Sequence, residues 1–171
     1  MSGKKNVLNT RRCSFGGFRM PVHNVHPIGN PNIPPTDLLF HLGLLLQVEI
    51  SVPQSLATVL TATNQPLPAA IIGDALVDTG ATCCCVEETF LQRLNLQPIG
   101  QVPVSGATGN RIQNAYQARL AFPGTPIPPL EMQVIGVQMN QGQTICLLGR
   151  DILRYCVLIY NGPQGSYTIA F

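Results

Sequence analysis

The chain has 171 residues, 45% apolar and only 11% charged, with a formal net charge of +2. That length supports one ordinary domain with a real apolar core, and the composition excludes a wholly disordered chain. The longest apolar stretch, Leu38 to Val48, is broken by His41 and Gln47 and is too short to span a bilayer as a helix, so no membrane association is expected.

The first segment carries Lys4, Lys5, Arg11, Arg12 and Arg19 and no acid before residue 20, whereas the rest is mildly acidic. No continuous apolar run of signal-peptide length follows these charges, so secretion is not expected. A basic segment can touch nucleic acid, but charges this widely spread are more often a solubilising arm, and nucleic acid is not an expected partner. Pro21 to Pro35 is rich in proline and asparagine, a composition that cannot sustain a helix or a central strand. Residues 1–36 therefore read as a basic arm or linker and residues 37–171 as the folded domain. Phe18 to Val25 is apolar enough to lie in a cleft of the folded domain, which makes the arm a candidate removable segment.

Beyond the arm the chain reads as short strands between Pro/Gly turns. Leu44 to Val52 alternates, with Val48, Ile50 and Val52 on one face and Glu49 and Ser51 on the other, which predicts a half-buried strand. Leu56 to Thr63 is β-branched and apolar and is predicted as another strand, and Ala69 to Val77 reads as an interior one. Glu87 to Leu96 is a predicted helix, with Phe90, Leu91 and Leu94 largely on one side and two acids at its start. Strands are predicted at Ala115 to Phe122 and Leu130 to Val137, a short helix at Arg150 to Cys156, and a hairpin over Val157 to Phe171 that turns at NGPQG. The sum is an all-β domain with one or two short helices.

Six cysteines could mean a disulfide framework, but Cys83, Cys84 and Cys85 are adjacent and do not form a staple pattern. Alternation on a strand turns Cys84 away from its two neighbours. The triplet also lacks the paired spacing of a zinc site, and His23, His26 and His41 all precede it, so neither metal nor cofactor is expected. Reduced, buried cysteines point to a cytoplasmic setting.

Chemistry concentrates in Ala75 to Thr82, ALVDTGAT. An apolar strand ending in Asp-Thr-Gly places the Asp78 carboxylate where the chain leaves the core, and Gly80 permits a tight turn and a close backbone approach. Alone, Asp78 could simply cap a turn. A second element, Leu147 to Leu153, LLGRDIL, repeats the order of apolar pair, glycine and helix start.

With both elements in this order, the chain from Leu44 to Phe171 resembles the retropepsin-like aspartic proteases. The resemblance implies an acid-protease β-barrel in which Asp78 is catalytic, supported by Thr79, Gly80 and Ala81. It further implies a flap at Val104 to Ile112, with Gly106, Ala107, Thr108 and Gly109 at its tip, and a structural element made of Leu148, Gly149, Arg150 and Asp151. Arg150 is expected to pair with Asp151 or Asp74. The chain has a single D-T-G, so the resemblance implies a homodimer in which two Asp78 carboxylates meet on the two-fold axis. Ser166 to Phe171 is the candidate strand for interleaving between protomers, with a strand folded on its own chain as the alternative. The implied activity is an aspartic endopeptidase acting on extended peptide or protein substrates. Apolar residues are expected to flank the cut bond, and Ala81, lacking a hydroxyl, points to a mildly acidic to near-neutral optimum. The rival reading is a non-catalytic dimer module that binds extended peptides or partners. Retroviral enzymes often carry an acid shortly after D-T-G-A, where this chain has Thr82, Cys83, Cys84 and Cys85; this leaves the usual partner of the arginine open, and the thiols raise the question of redox control.

Overall fold

The computed structural model describes residues 22–25, 32–106, 109–125, 127–139 and 144–171. Contacts divide the chain into two compact units, of which the larger is Leu44–Arg154 and the smaller joins the described residues before Leu44 to Tyr155–Phe171.

The larger unit is built on seven strands: β2 (Leu45–Ser51), β3 (Ile71–Val77), β4 (Cys85–Glu87), β5 (Gly100–Gly106), β6 (Gly109–Ala121), β7 (Leu130–Val137) and β8 (Thr144–Leu148). They lie in the order β2-β3-β8-β4-β7-β6-β5, and β2 also pairs with β6 through Glu49–Ala121, Ile50–Leu120 and Ser51–Arg119. That extra pairing curls the sheet back on itself into a barrel. Two contacts are parallel, β3 with β8 and β4 with β7, while the other ladders are antiparallel. The alternation read in β2 holds: Leu46, Val48 and Ile50 are buried, and the residues between them are not. Burying Val48 and Ile50 completely, with Ala118, Leu120 and Val134, gives this barrel its core at about 1.5–3 kcal/mol for each large aliphatic side chain.

The predicted strand at Leu56 to Thr63 is instead a helix, α2 (Gln54–Ala62). Its apolar residues Leu56, Val59 and Leu60 follow helical rather than alternate spacing. The threonines satisfy their hydroxyls within the helix, Thr58 donating to the Gln54 carbonyl and Thr61 to that of Ala57, both at 2.9 Å. Local β propensity yields because the hydroxyls find partners one turn back. The two predicted helices are present in shortened form as α3 (Glu88–Arg93) and α4 (Arg150–Leu153).

The smaller unit holds a three-stranded antiparallel sheet in the order β1-β10-β9, with β1 at Val22–Val25, β9 at Val157–Asn161 and β10 at Ser166–Ala170. The predicted C-terminal hairpin is thus formed, joined by a 3-10 turn at Gly162–Gln164. Within the segment read as an arm, Val22–Val25 is a strand, paired from Val22–Ala170 to Val25–Tyr167. β10 therefore has neighbours on both sides in its own chain, and the expectation that it interleaves with a partner's strand gives way: the sheet's open edges belong to β1 and β9. A further helix, α1 (Pro35–Leu42), was not foreseen, because Pro34 and Pro35 read as breakers. Pro35 stands in the first helical turn, where no intrahelical N–H is needed, and Leu38 and Leu39 are buried behind it. The described chain accordingly has four short α-helices where one or two were expected. None of its helices is long and apolar enough to cross a membrane.

Candidate active site

Strand β3 runs through the barrel and ends at Val77, so Asp78 leaves the ladder at a fixed point. Its backbone N–H donates to the Leu148 carbonyl at 3.0 Å, which extends the parallel β3–β8 contact by one residue. The carboxylate is then held by its own loop: Gly80 N–H donates to Asp78 Oδ1 at 2.8 Å, and Ala81 N–H to the Asp78 carbonyl at 3.2 Å. This is a side-chain-closed turn inside a backbone turn. A Cβ at Gly80 would stand 3.0 Å from Asp78 Oδ1 and would push the carboxylate aside by a few tenths of an ångström. Asp78 is half-buried, while Thr79 and Gly80 are exposed beside it.

The LLGRDIL element clamps this loop from below. Arg150 N–H donates to the Ala81 carbonyl at 3.0 Å and Asp151 N–H to that of Thr82 at 3.2 Å. The Arg150 guanidinium donates to Thr82 Oγ1 at 3.0 Å, which corrects the expected pairing with Asp151 or Asp74. Thr82 is therefore the arginine's partner, its hydroxyl taking the place that an acid would fill. Asp151 is committed elsewhere. Its Oδ2 accepts from Cys84 N–H at 2.8 Å, and its Oδ1 accepts from the Cys84 thiol at 3.0 Å and from Ile152 N–H at 2.9 Å. The Cys84 sulfur in turn accepts from Gly149 N–H at 3.2 Å. Sequence reasoning named Asp151 as part of a motif and as a partner for Arg150. Its role as acceptor for the cysteine segment depends on a contact between residues 67 apart, which no local pattern reveals.

The cysteines divide as alternation requires. Cys84 turns toward α4, whereas Cys85 is buried with Ala115 and Ile135, and Cys83, Val102, Val104, Val137, Met139 and Leu147 pack against that cluster. The five described cysteines are free thiols. Burial first, then the Asp151 carboxylate, pushes Cys84 far above the usual thiol range; burial raises Cys83 as well and pushes Cys85 up to about 12, with smaller contributions from Cys83, Asp151 and Asp78. Among the described residues no group of three or more His, Cys, Asp or Glu side chains could hold a metal ion. His23 lies on β1 and His41 in the last turn of α1, and His26 is outside the described residues.

The expected flap is the β5–β6 hairpin. It is paired from Gly100–Ala115 to Gly106–Gly109, and the tip residues Ala107 and Thr108 lie outside the described residues. Glu88, read as a helix-start acid, accepts from Tyr116 Oη at 2.7 Å and Asn114 Nδ2 at 2.8 Å, both on Oε1, and so anchors the base of this hairpin. Burial and then the Glu88 carboxylate push the Tyr116 phenol up to about 12.

Asp151→Ala is expected to cost about 2 kcal/mol of stability, because the Cys84 N–H would lose its acceptor in a buried place. Chemical denaturation of the purified protein measures this, and an unchanged midpoint would show that the clamp contributes nothing.

Comparison with known proteins follows this geometry. Residues 72–155 match the family model described as "gag-polyprotein putative aspartyl protease". That segment contains β3 from its second residue, the Asp78 loop, the flap hairpin and α4. No curated protein matches. Among solved structures, the chain is similar to the solution structure of Simian Foamy Virus (mac) protease, at 20% identity and a TM-score of 0.42, over 66% of this chain and 93% of that one. The D-T-G loop and the G-R-D clamp both lie inside the segment matched by the family model, and the chain's similarity to the retropepsin-like aspartic proteases rests on it.

Proposed function

We propose that this protein is an aspartic endopeptidase, active as a homodimer in which the Asp78 residues of two chains form one catalytic dyad. The observation that carries this reading is the fixed presentation of Asp78. One carboxylate oxygen is tied to Gly80 N–H, the backbone is tied to Leu148, and the following residues are clamped by Arg150 and Asp151. A carboxylate that only closed a turn would not need a second sequence element built against its loop.

Two such carboxylates a few ångströms apart cannot both ionise readily, so they share one proton. The ionised Asp78 takes a proton from a bound water as that water attacks the scissile carbonyl carbon. The protonated Asp78 of the other chain donates a hydrogen bond to the carbonyl oxygen and stabilises the tetrahedral intermediate. Proton transfer to the amide nitrogen then releases the amine product. Thr79 supports the meeting of the two loops, and the flap hairpin closes over an extended peptide. Five free thiols suit a reducing compartment, and a cytoplasmic setting is part of this reading.

The test is digestion of a mixed peptide library by wild type and Asp78→Asn between pH 4 and pH 7, read by mass spectrometry, with the oligomeric state followed by sedimentation. Cuts by the wild type that vanish in Asp78→Asn are expected, together with a dimer. A folded, dimeric wild type that makes no cut at any pH would sink the catalytic reading in favour of a peptide-binding module.

A further inference from the structure

The flap arm and β7 part company. Their ladder runs from Leu120–Leu130 only as far as Ala115–Ile135. Beyond it β6 stays paired with β5 out to Gly109, and β7 stays paired with β4 out to Val137. A cavity of about 430 Å³ opens in this fork, lined by Val104, Arg111, Gln113, Val137, Gln138 and Glu88 among others. Its volume lies in the range of sites that enclose a ligand group.

The cavity is linked to the Asp78 side of the barrel. Val104 and Val137 pack against the same buried cluster as Cys83 and Leu147, residues that flank the D-T-G loop and its anchor Leu148. Cys85, at the centre of that cluster, lies near enough to Asp78 for the carboxylate's charge to oppose thiol ionisation.

The cavity wall carries one charged side chain of each sign, Glu88 and Arg111. Glu88 is held in place by Tyr116 and Asn114, and both of those bonds fall on Oε1. Arg111, directly across the hairpin ladder from Val104, is exposed, and the two charges form no ion pair with one another. An apolar side chain entering here would gain contact with Val104 and Val137 but would desolvate both charges without pairing either. A carboxylate would pair with the guanidinium but face Glu88, and an ammonium would pair with Glu88 but face Arg111. A primary amide satisfies both, since its carbonyl accepts from Arg111 while its NH₂ donates to Glu88.

We propose that this cavity is a specificity subsite for a glutamine or asparagine side chain of the substrate, with Arg111 and Glu88 as its specificity-determining residues. The proposal rests on the peptidase reading for its substrate class. It adds a polar position to the apolar residues expected to flank the cut bond.

The test starts from one cleaved library peptide, in which each position within three residues of the cut is replaced in turn by Gln, Asn, Leu, Glu or Lys. One position is expected at which Gln or Asn exceeds the other three by about tenfold in kcat/KM. Glu88→Gln is expected to raise Glu at that position about tenfold relative to Gln, and Arg111→Gln to raise Lys similarly. Such opposite shifts would not follow from a merely structural role. If Glu88→Gln fails to fold, the Arg111→Gln arm carries the test from its exposed place on the hairpin. Binding of the same peptides to Asp78→Asn, read by fluorescence anisotropy, separates the two readings. Amide-ranked binding without any cleavage by wild type would sustain the subsite and sink the peptidase. A flat ranking, or a preference for Leu that neither substitution moves, would overturn the subsite even if cleavage is robust.

Discussion

Gly149→Ala is expected to lower stability by about 3 kcal/mol and to cut the proposed peptidase activity by about 100-fold. The added methyl would stand 2.5 Å from the Cys83 carbonyl carbon and 2.6 Å from its oxygen, so it meets backbone that cannot swing aside as a side-chain tip could. Backbone strain is not the cause, because Gly149 has φ −87° and ψ −179°, open to any residue. Close approach is the cause. The Asp78 loop and the G-R-D turn are tied at Asp78–Leu148, Ala81–Arg150 and Thr82–Asp151, and separating them by about an ångström loosens all three hydrogen bonds. Denaturant midpoints read the stability, and kcat/KM on a library-derived peptide reads the activity. A variant with wild-type midpoint and rate would show that the two segments have room the geometry denies them.

Alkaline pH is expected to unfold the protein through its buried thiols. Cys84 and Cys146 are pushed far above the usual thiol value, in each case first by burial; for Cys84 the bond to Asp151 adds to this, and for Cys146 the neighbouring Cys85. Folding holds both as neutral thiols, whereas in the unfolded chain they ionise near their ordinary value of 9.0. A folded value raised above the unfolded one stabilises fully below about pH 9 and is lost as pH rises toward the folded values. Each such thiol then removes about 1.4 kcal/mol per pH unit, so the pair consumes much of an ordinary stability of about 5–15 kcal/mol by pH 11 to 12. Cys85 and Tyr116, both pushed up to about 12, add to the loss in the same direction. Denaturation midpoints from pH 8 to pH 11 test this, with Cys146→Ala expected to flatten the slope; a constant midpoint to pH 11 would refute it. The same protonation makes the thiols beside the Asp78 loop poor nucleophiles, so slow alkylation at pH 8 accompanies the prediction and the case for redox control weakens.

How much of this was legible beforehand follows from the range of each signal. The alternation of Leu45–Ser51, the Leu130–Val137 strand and the Val157–Phe171 hairpin depend on neighbouring residues and were read correctly. Gln54–Ala62 was misread, because its β-branched residues carry a strand propensity that threonine back-bonding and helical spacing of its leucines overrode. Pro35–Leu42 was missed because a proline in the first turn of a helix looks, in one dimension, like a proline that ends one.

The sequence by itself determined the chemistry on offer: a carboxylate at a strand end followed by threonine and glycine, a later G-R-D element, and three adjacent thiols of which the middle one faces away from its neighbours. These are local facts, set by side-chain identity and a period of two. Only the tertiary structure decided the partners. Thr82 rather than an acid receives Arg150, Asp151 receives Cys84, Glu88 receives Tyr116 and Asn114, and the flap arm forks from β7 to open a charged cavity. The reason is physical: hydrogen-bond partners and cavities depend on which strand ends the barrel brings together, and the partners of Asp151 and Arg150 lie 67 and 68 residues away along the chain.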